Sequence, residues 1–160
     1  MNARINYEAV VPLPVAAWFV GIQSHQGAIT AVDFVADDQW EIGASSLAAE
    51  TAAEQLQRYF LQPEWRFNVP IAYNGTAHQR RVWDALCRLH PGETRSYGEL
   101  ARELKSAARA VGGACRANPV AIIVPCHRIV GARNIGGFSG ATTGKQLEIK
   151  QWLLRHEAKK

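Results

Sequence analysis

Pro125-Cys126-His127-Arg128 closes the apolar run Ala121-Ile122-Ile123-Val124, and apolar residues resume at Ile129-Val130 before Gly131. A thiol reacts as its thiolate, and charged neighbours favour that form, lowering the pKa from the free value of about 8.5. Burial in an apolar run pushes the other way. A buried cysteine that reacts therefore needs a base. Adjacent His127 can supply it, directly or through a water, if an acid holds the imidazole in the right tautomer. Taken singly, a cysteine in an apolar run is a core residue by habit, and a lone histidine is a hydrogen-bonded structural residue. Cys87 and Cys115 lie in helical patterns with no adjacent histidine and read as structural. With three cysteines and no CxxC pair, neither a disulfide framework nor a zinc ribbon is expected. No metal site is expected in the first half either: it has no cysteine, and His25 has no partner at ligand spacing.

A second constellation precedes the cysteine. Arg109, Gly112, Gly113 and Arg116 recur at i, i+3, i+4, i+7, with Val111, Ala114 and Cys115 on another side of the same helix. Two adjacent helical glycines cost about 1 kcal/mol each relative to alanine, so something must compensate. One reading is close packing on another helix. The other is a small-residue surface, flanked by arginines, lying against a nucleic-acid groove.

The elements that must carry these residues follow from periodicity and caps. Ala9–Val11, Ala16–Ile22 and Ala28–Val35 are short apolar runs split by turn residues, as in an antiparallel meander. Ser46 caps a predicted helix from Leu47 to about Leu61 with Ala49, Ala52, Ala53, Leu56, Tyr59 and Phe60 on its apolar side. Thr76 caps the next helix, which contains Val82, Leu86 and Leu89 and stops at His90-Pro91-Gly92. Tyr97, Leu100, Ala101 and Leu104 predict a short helix; Lys105-Ser106 then leads to a helix over Ala107 to Ala117, ended by Asn118-Pro119. Two short helices joined tightly are the pattern of a helix-turn-helix.

Charge separates the halves. Met1 to Pro70 has three Arg/Lys against eight Asp/Glu, net −5; Ile71 to Lys160 has fifteen against six, net +9. Two domains, 1–70 and 71–160, are therefore expected, the second facing a polyanion, although a merely solvated basic surface produces the same count. The uncharged stretch from Ala9 to Val32 contains Pro12, Pro14, Ser24, His25 and Gly27, so no membrane span is expected there. Nor does Met1 to Val11 read as a secretory signal, and the expected location is the cytoplasm.

Together these segments resemble the O6-alkylguanine-DNA alkyltransferases. The resemblance is carried by Pro125-Cys126-His127-Arg128-Ile129-Val130, by Arg109-Ala110-Val111-Gly112-Gly113-Ala114 with Asn118-Pro119, and by Gly92 to Ala101. Gln79 to Leu86 and Trp152 to Glu157 fit as well, so it spans about Gly75 to Glu157 in order. It implies an α+β protein: a small ribonuclease-H-like N-terminal α/β domain and a mostly helical C-terminal domain with a helix-turn-helix. Cys126 would accept the alkyl group, once and irreversibly; His127 would act through a water as its base, oriented by Glu157. Tyr97 would lie by the extruded nucleotide and help neutralise the departing guanine, and Arg109 would fill the gap left in the base stack. Ala110, Gly112, Gly113, Arg116, Tyr97 and Arg128 would also meet DNA. Asn118 would hold the turn leading to an active-site strand, with Pro125, Lys150 and Phe138-Ser139-Gly140 bordering the guanine pocket.

The implied partner is double-stranded DNA bearing O6-alkylguanine, bound through the minor groove without sequence preference by a monomer. O4-alkylthymine is the alternative lesion, and no cofactor or metal is implied. Two departures stand out: the turn Arg102 to Ala108 is shorter than usual, and Phe138 sits where some members carry tyrosine. The alternatives are a lesion-binding relative that does not repair, a class that lacks the cysteine, and a plain helix-turn-helix DNA binder.

Overall fold

The computed structural model describes residues 3–15, 17–133, 136 and 144–158. The chain forms two compact units, Met1–Tyr73 with Pro119–Ala121, and Asn74–Asn118 with Ile122–Lys160.

In the first unit the sheet is the predicted meander. β2 (Ala9–Pro12), β3 (Trp18–His25) and β4 (Ala28–Ala36) pair antiparallel in that order, with a register shift between Gln23 and Ser24. Two short strands that periodicity did not reveal, β1 (Ile5–Tyr7) and β5 (Trp40–Ile42), pair in parallel beside it. Each has three residues, too few to establish a period. Helix α1 (Leu47–Leu61) begins where Ser46 Oγ accepts from the Ala49 N–H at 3.0 Å. It buries Ala49, Ala52, Leu56 and Tyr59 against the sheet, while Ala53 and Phe60 stay half-buried. Tyr7 lies flat over Gly21, where a Cβ would come within 2.6 Å of the ring, and its hydroxyl donates to Asp33 at 2.9 Å. Val32 also bridges Val120 in parallel, so Pro119–Ala121 belongs to this unit.

The second unit is mostly helical. α2 (Ala77–Cys87) opens with a reciprocal Thr76–Gln79 capping box and buries Val82, Trp83, Ala85 and Leu86. It ends at Cys87, short of the predicted stop at His90. Strand β6 (Arg95–Ser96) follows, and Ser96 caps α3 (Tyr97–Glu103) through a second box with Glu99. The short turn after α3 closes because Lys105 takes a left-handed conformation, φ 54°, letting the Ser106 N–H reach Ala101 O at 2.8 Å. Two side chains one turn apart on α2 pin it: His78 Nε2 meets Ser106 Oγ at 2.7 Å, and Arg81 donates to Leu104 O.

α4 (Ala108–Arg116) buries Val111, Ala114 and Cys115 and leaves Arg109, Ala110, Gly113 and Arg116 exposed. Trp83 Nε1 donates to Ala114 O at 2.8 Å, tying α4 to α2. Trp83→Phe strands that buried carbonyl and is expected to cost about 1–3 kcal/mol, read as a lowered denaturant midpoint without a change in slope.

The active-site strand that the resemblance implies after the Asn118 turn is not formed over the apolar run Ala121–Val124. The segment turns instead, and Cys126–Arg128 is a single 3-10 turn. Strand β7 (Ile129–Val130) then pairs in parallel with β6, Arg95 opposite Ile129 and Ser96 opposite Val130. α5 (Lys145–Ala158) closes the unit with Ile149, Lys150, Leu153, His156 and Glu157 on its buried side and Leu154 at its rim. Among the described residues no helix is long and apolar enough to cross a membrane.

Candidate active site

Cys126 is delivered by a constrained turn. Asn118 Nδ2 donates to Val124 O at 2.8 Å, bridging the turn, and inside it Ile122 sits at φ 68°. A β-branched residue there is strained, at a cost of about 1–3 kcal/mol that the surrounding bonds must hold. The β6–β7 pairing then fixes Tyr97, the residue after β6, relative to the cysteine turn.

Cys126 is 7% exposed, and the residues after it are buried as well. Burial raises its thiol pKa; a hydrogen bond from the Asn118 side chain and the Lys150 ammonium offset this only in part. The charged neighbours therefore do not win: the resting group is a thiol, and its proton must leave during any attack by sulfur. Burial likewise raises Tyr97 to about 12 and Cys115 to about 12, and lowers Lys150 to about 8. Lys150 Nζ donates to Ile129 O at 2.7 Å.

The group able to take the proton is next door. His127 is wholly buried, and its Nε2 lies 2.7 Å from Glu157 Oε2. Its Nδ1 is buried and has no hydrogen-bond partner among the described residues. Burial pulls the His127 pKa down and Glu157 pulls it up; Arg128 and Lys150 lower it further, and the net direction is down. A neutral imidazole with Nε2–H on the carboxylate keeps a lone pair on Nδ1, the form a general base needs. The hydrogen position is inferred from this network.

Arg128 corrects an expectation. Placed among the DNA contacts by the resemblance, it is only 6% exposed, and its donors are committed inside the protein. Nε and Nη2 reach Glu157 Oε1 and Oε2, each at 2.9 Å, and Nη1 reaches Leu89 O at 2.8 Å. A guanidinium so engaged has no donor fork left for a phosphate.

The sequence-predicted residues thus fall into groups. Asn118, Pro125, Cys126, His127, Lys150 and Glu157 surround the thiol turn. Gly112 of α4 looks toward Tyr97, where a Cβ would sit 3.8 Å from the ring. Arg109, Ala110, Gly113 and Arg116 line the exposed side of α4. Phe138, Ser139 and Gly140 lie outside the described residues.

Two participants were not foreseen. Cys115, read as merely structural, is close enough to act electrostatically on Tyr97 and Lys150, and Cys126 acts on it in turn. Gly136 has φ 72°, and a Cβ there would come within 2.9 Å of the Tyr97 ring, so only glycine fits. The Gly136-Gly137 pair was the visible sign.

The profile of the 6-O-methylguanine DNA methyltransferase DNA-binding domain matches residues 77–159, more than half of the chain and all of the thiol site. The chain belongs to this methyltransferase family. A methylated-DNA–protein-cysteine methyltransferase of Methanosarcina mazei is 47% identical over 107 residues, covering 66% of this chain and 65% of the relative. The relative of that name from Mycolicibacterium paratuberculosis is 47% identical over 109 residues, covering 66% and 63%. The chain thus spans about two thirds of the curated methyltransferases it matches. Among solved structures, Mycobacterium tuberculosis OGT in complex with DNA is similar with a TM-score of 0.76 at 33% identity, covering 96% of this chain and 93% of that one. That likeness bears out the α+β class expected from the sequence.

Proposed function

We propose that this methyltransferase-family chain repairs DNA directly, moving the alkyl group of O6-alkylguanine to Cys126 Sγ. The observation that carries the reading is the buried Cys126 thiol beside a histidine whose Nε2 is held by Glu157 and whose Nδ1 is unpaired among the described residues. Sulfur forms a bond to the alkyl carbon as the carbon–O6 bond breaks. The thiol proton passes through a water to His127, and the electron pair leaves with guanine. Tyr97, a phenol that burial keeps protonated, donates toward the departing base, and overall the thiol proton replaces the alkyl group on guanine. No hydrolysis reverses a thioether under mild conditions, so each molecule reacts once.

DNA delivery falls to α3, the pinned turn and α4, acting as a helix-turn-helix with α4 in the minor groove. Arg109 replaces the extruded nucleotide in the stack, and Ala110, Gly112, Gly113 and Arg116 meet the backbone without reading sequence. The domain 71–160 holds this machinery, and the ribonuclease-H-like domain 1–70 supports it. The protein acts as a cytoplasmic monomer.

The test is an intact mass and peptide map after incubation with excess duplex bearing O6-methylguanine. One added methyl per chain, on the peptide with Cys126, is expected; an unchanged mass, or repeated turnover, refutes the proposal. Arg109→Ala should slow repair in duplex DNA about ten- to a hundredfold, since base extrusion costs a few kcal/mol, while reaction with free O6-alkylated guanine stays unchanged. Equal losses in the two rate assays would remove Arg109 from the stack.

A further inference from the structure

Glu157 has more partners than orienting an imidazole requires. Its Oε2 receives both His127 Nε2 at 2.7 Å and Arg128 Nη2 at 2.9 Å, and its Oε1 receives Arg128 Nε at 2.9 Å, with the Gly92 N–H at 3.4 Å. Arg128 is itself anchored on Leu89 O. A buried carboxylate with one histidine as its partner would recruit a proton to that histidine, because an isolated buried charge is costly. Here a guanidinium already balances the charge through two hydrogen bonds.

We infer that Arg128 is a positioning residue that keeps His127 neutral: by neutralising Glu157 it leaves Nε2–H on the carboxylate and Nδ1 as an open acceptor. The inference rests on the alkyl-transfer reading only for its use; the charge assignment stands on the geometry.

The charged and titratable groups acting on the imidazole are Glu157 and Lys150 from α5 and Arg128 of its own turn, with Cys126 the preceding residue. Cys87 of α2, itself influenced by Asp84, feels the charge of Arg128. Cys115 of α4 acts on Lys150. Arg128 is a cation bonded directly to Glu157.

The experiment is an NMR pH titration of the His127 ring in the full chain, which needs no DNA, paired with single-turnover methyl transfer across the same pH range. In the unsubstituted protein the ring should remain neutral well below the ordinary value of about 6.5. In Arg128→Met the unbalanced Glu157 should raise the His127 pKa above that value. Methyl transfer should then fall at least about fourfold between pH 8 and pH 6, as protonation removes the base, where the unsubstituted protein changes little. Arg128→Lys should restore much of the original titration. Arg128→Met/Glu157→Gln, with both charges gone, should return His127 to the neutral form, a reversal that mere loss of packing would not produce.

A protonated His127 at neutral pH in the unsubstituted protein overturns the inference, even if Arg128→Met does not fold. So does an Arg128→Met ring that titrates like the original. Absence of methyl transfer with the expected titrations would instead refute the proposed function and leave this assignment standing.

Discussion

Cys126→Ser is expected to abolish methyl transfer, lowering the single-turnover rate by more than about 10⁴-fold, while binding to duplex bearing O6-methylguanine stays within a few-fold. The substitution changes one atom in a site whose neighbours remain: Asn118 still spans the turn to Val124, and the His127–Glu157 pair is untouched. What disappears is a nucleophile that can be deprotonated near neutrality. The Cys126 thiol is already raised by burial, so even sulfur needs His127; a serine hydroxyl, far less acidic, cannot be activated by a neutral imidazole to the same extent. The measurement is intact mass after prolonged incubation, alongside a gel-shift titration. A methyl appearing on the variant would place the acceptor elsewhere, with Cys115, a thiol that feels the charge of Cys126, the first to examine by peptide map.

Glu157→Gln should be the most destabilising of the site substitutions. It removes the anion that holds both His127 and Arg128, leaving the guanidinium buried opposite a neutral amide that cannot accept at both ends. Breaking one side of a buried ion pair costs about 3–5 kcal/mol, a large part of the 5–15 kcal/mol typical of whole-protein stability. Burial alone would raise the Glu157 pKa, but His127 and Arg128 overcome that and hold it well below its ordinary 4.5. Because the folded pKa is depressed, this contribution is complete above about pH 4.5 and fades as pH falls below it toward the folded value. The variant should therefore show a lower denaturant midpoint near neutrality and a shallower loss of stability on acidification. At a temperature where it stays folded, methyl transfer should be slower by about 10²-fold or more, since the base loses its orienting partner. An unchanged rate would remove Glu157 from the mechanism.

The helices of this protein were largely legible because their signals are local. Ser46 and Thr76 cap where they were expected to, and the buried side of α1 follows its spacing. Ser96 likewise caps α3 through Glu99, another contact within four residues. The strands divided by length: the meander showed its apolar runs, whereas β1 and β5, and the two-residue β6 and β7, exist only through partners distant in the chain. The apolar run before Cys126 read only as buried, because buried turns and buried strands share a composition. Asn118 and the left-handed Ile122 make it a turn.

The chemistry divides on the same line. That a thiol, an imidazole and a carboxylate are present, with thiol and imidazole adjacent, is written in the residue order, since neighbours in the chain are neighbours in any fold. Which residues complete the site is not. Arg128 could have turned its guanidinium outward to a phosphate or inward to a carboxylate. The packing of α5, which sets Glu157 29 residues along the chain within 2.9 Å of it, decided for the carboxylate. A long, flexible cationic side chain goes where its charge is best balanced, and that balance exists only once the tertiary structure has buried the anion.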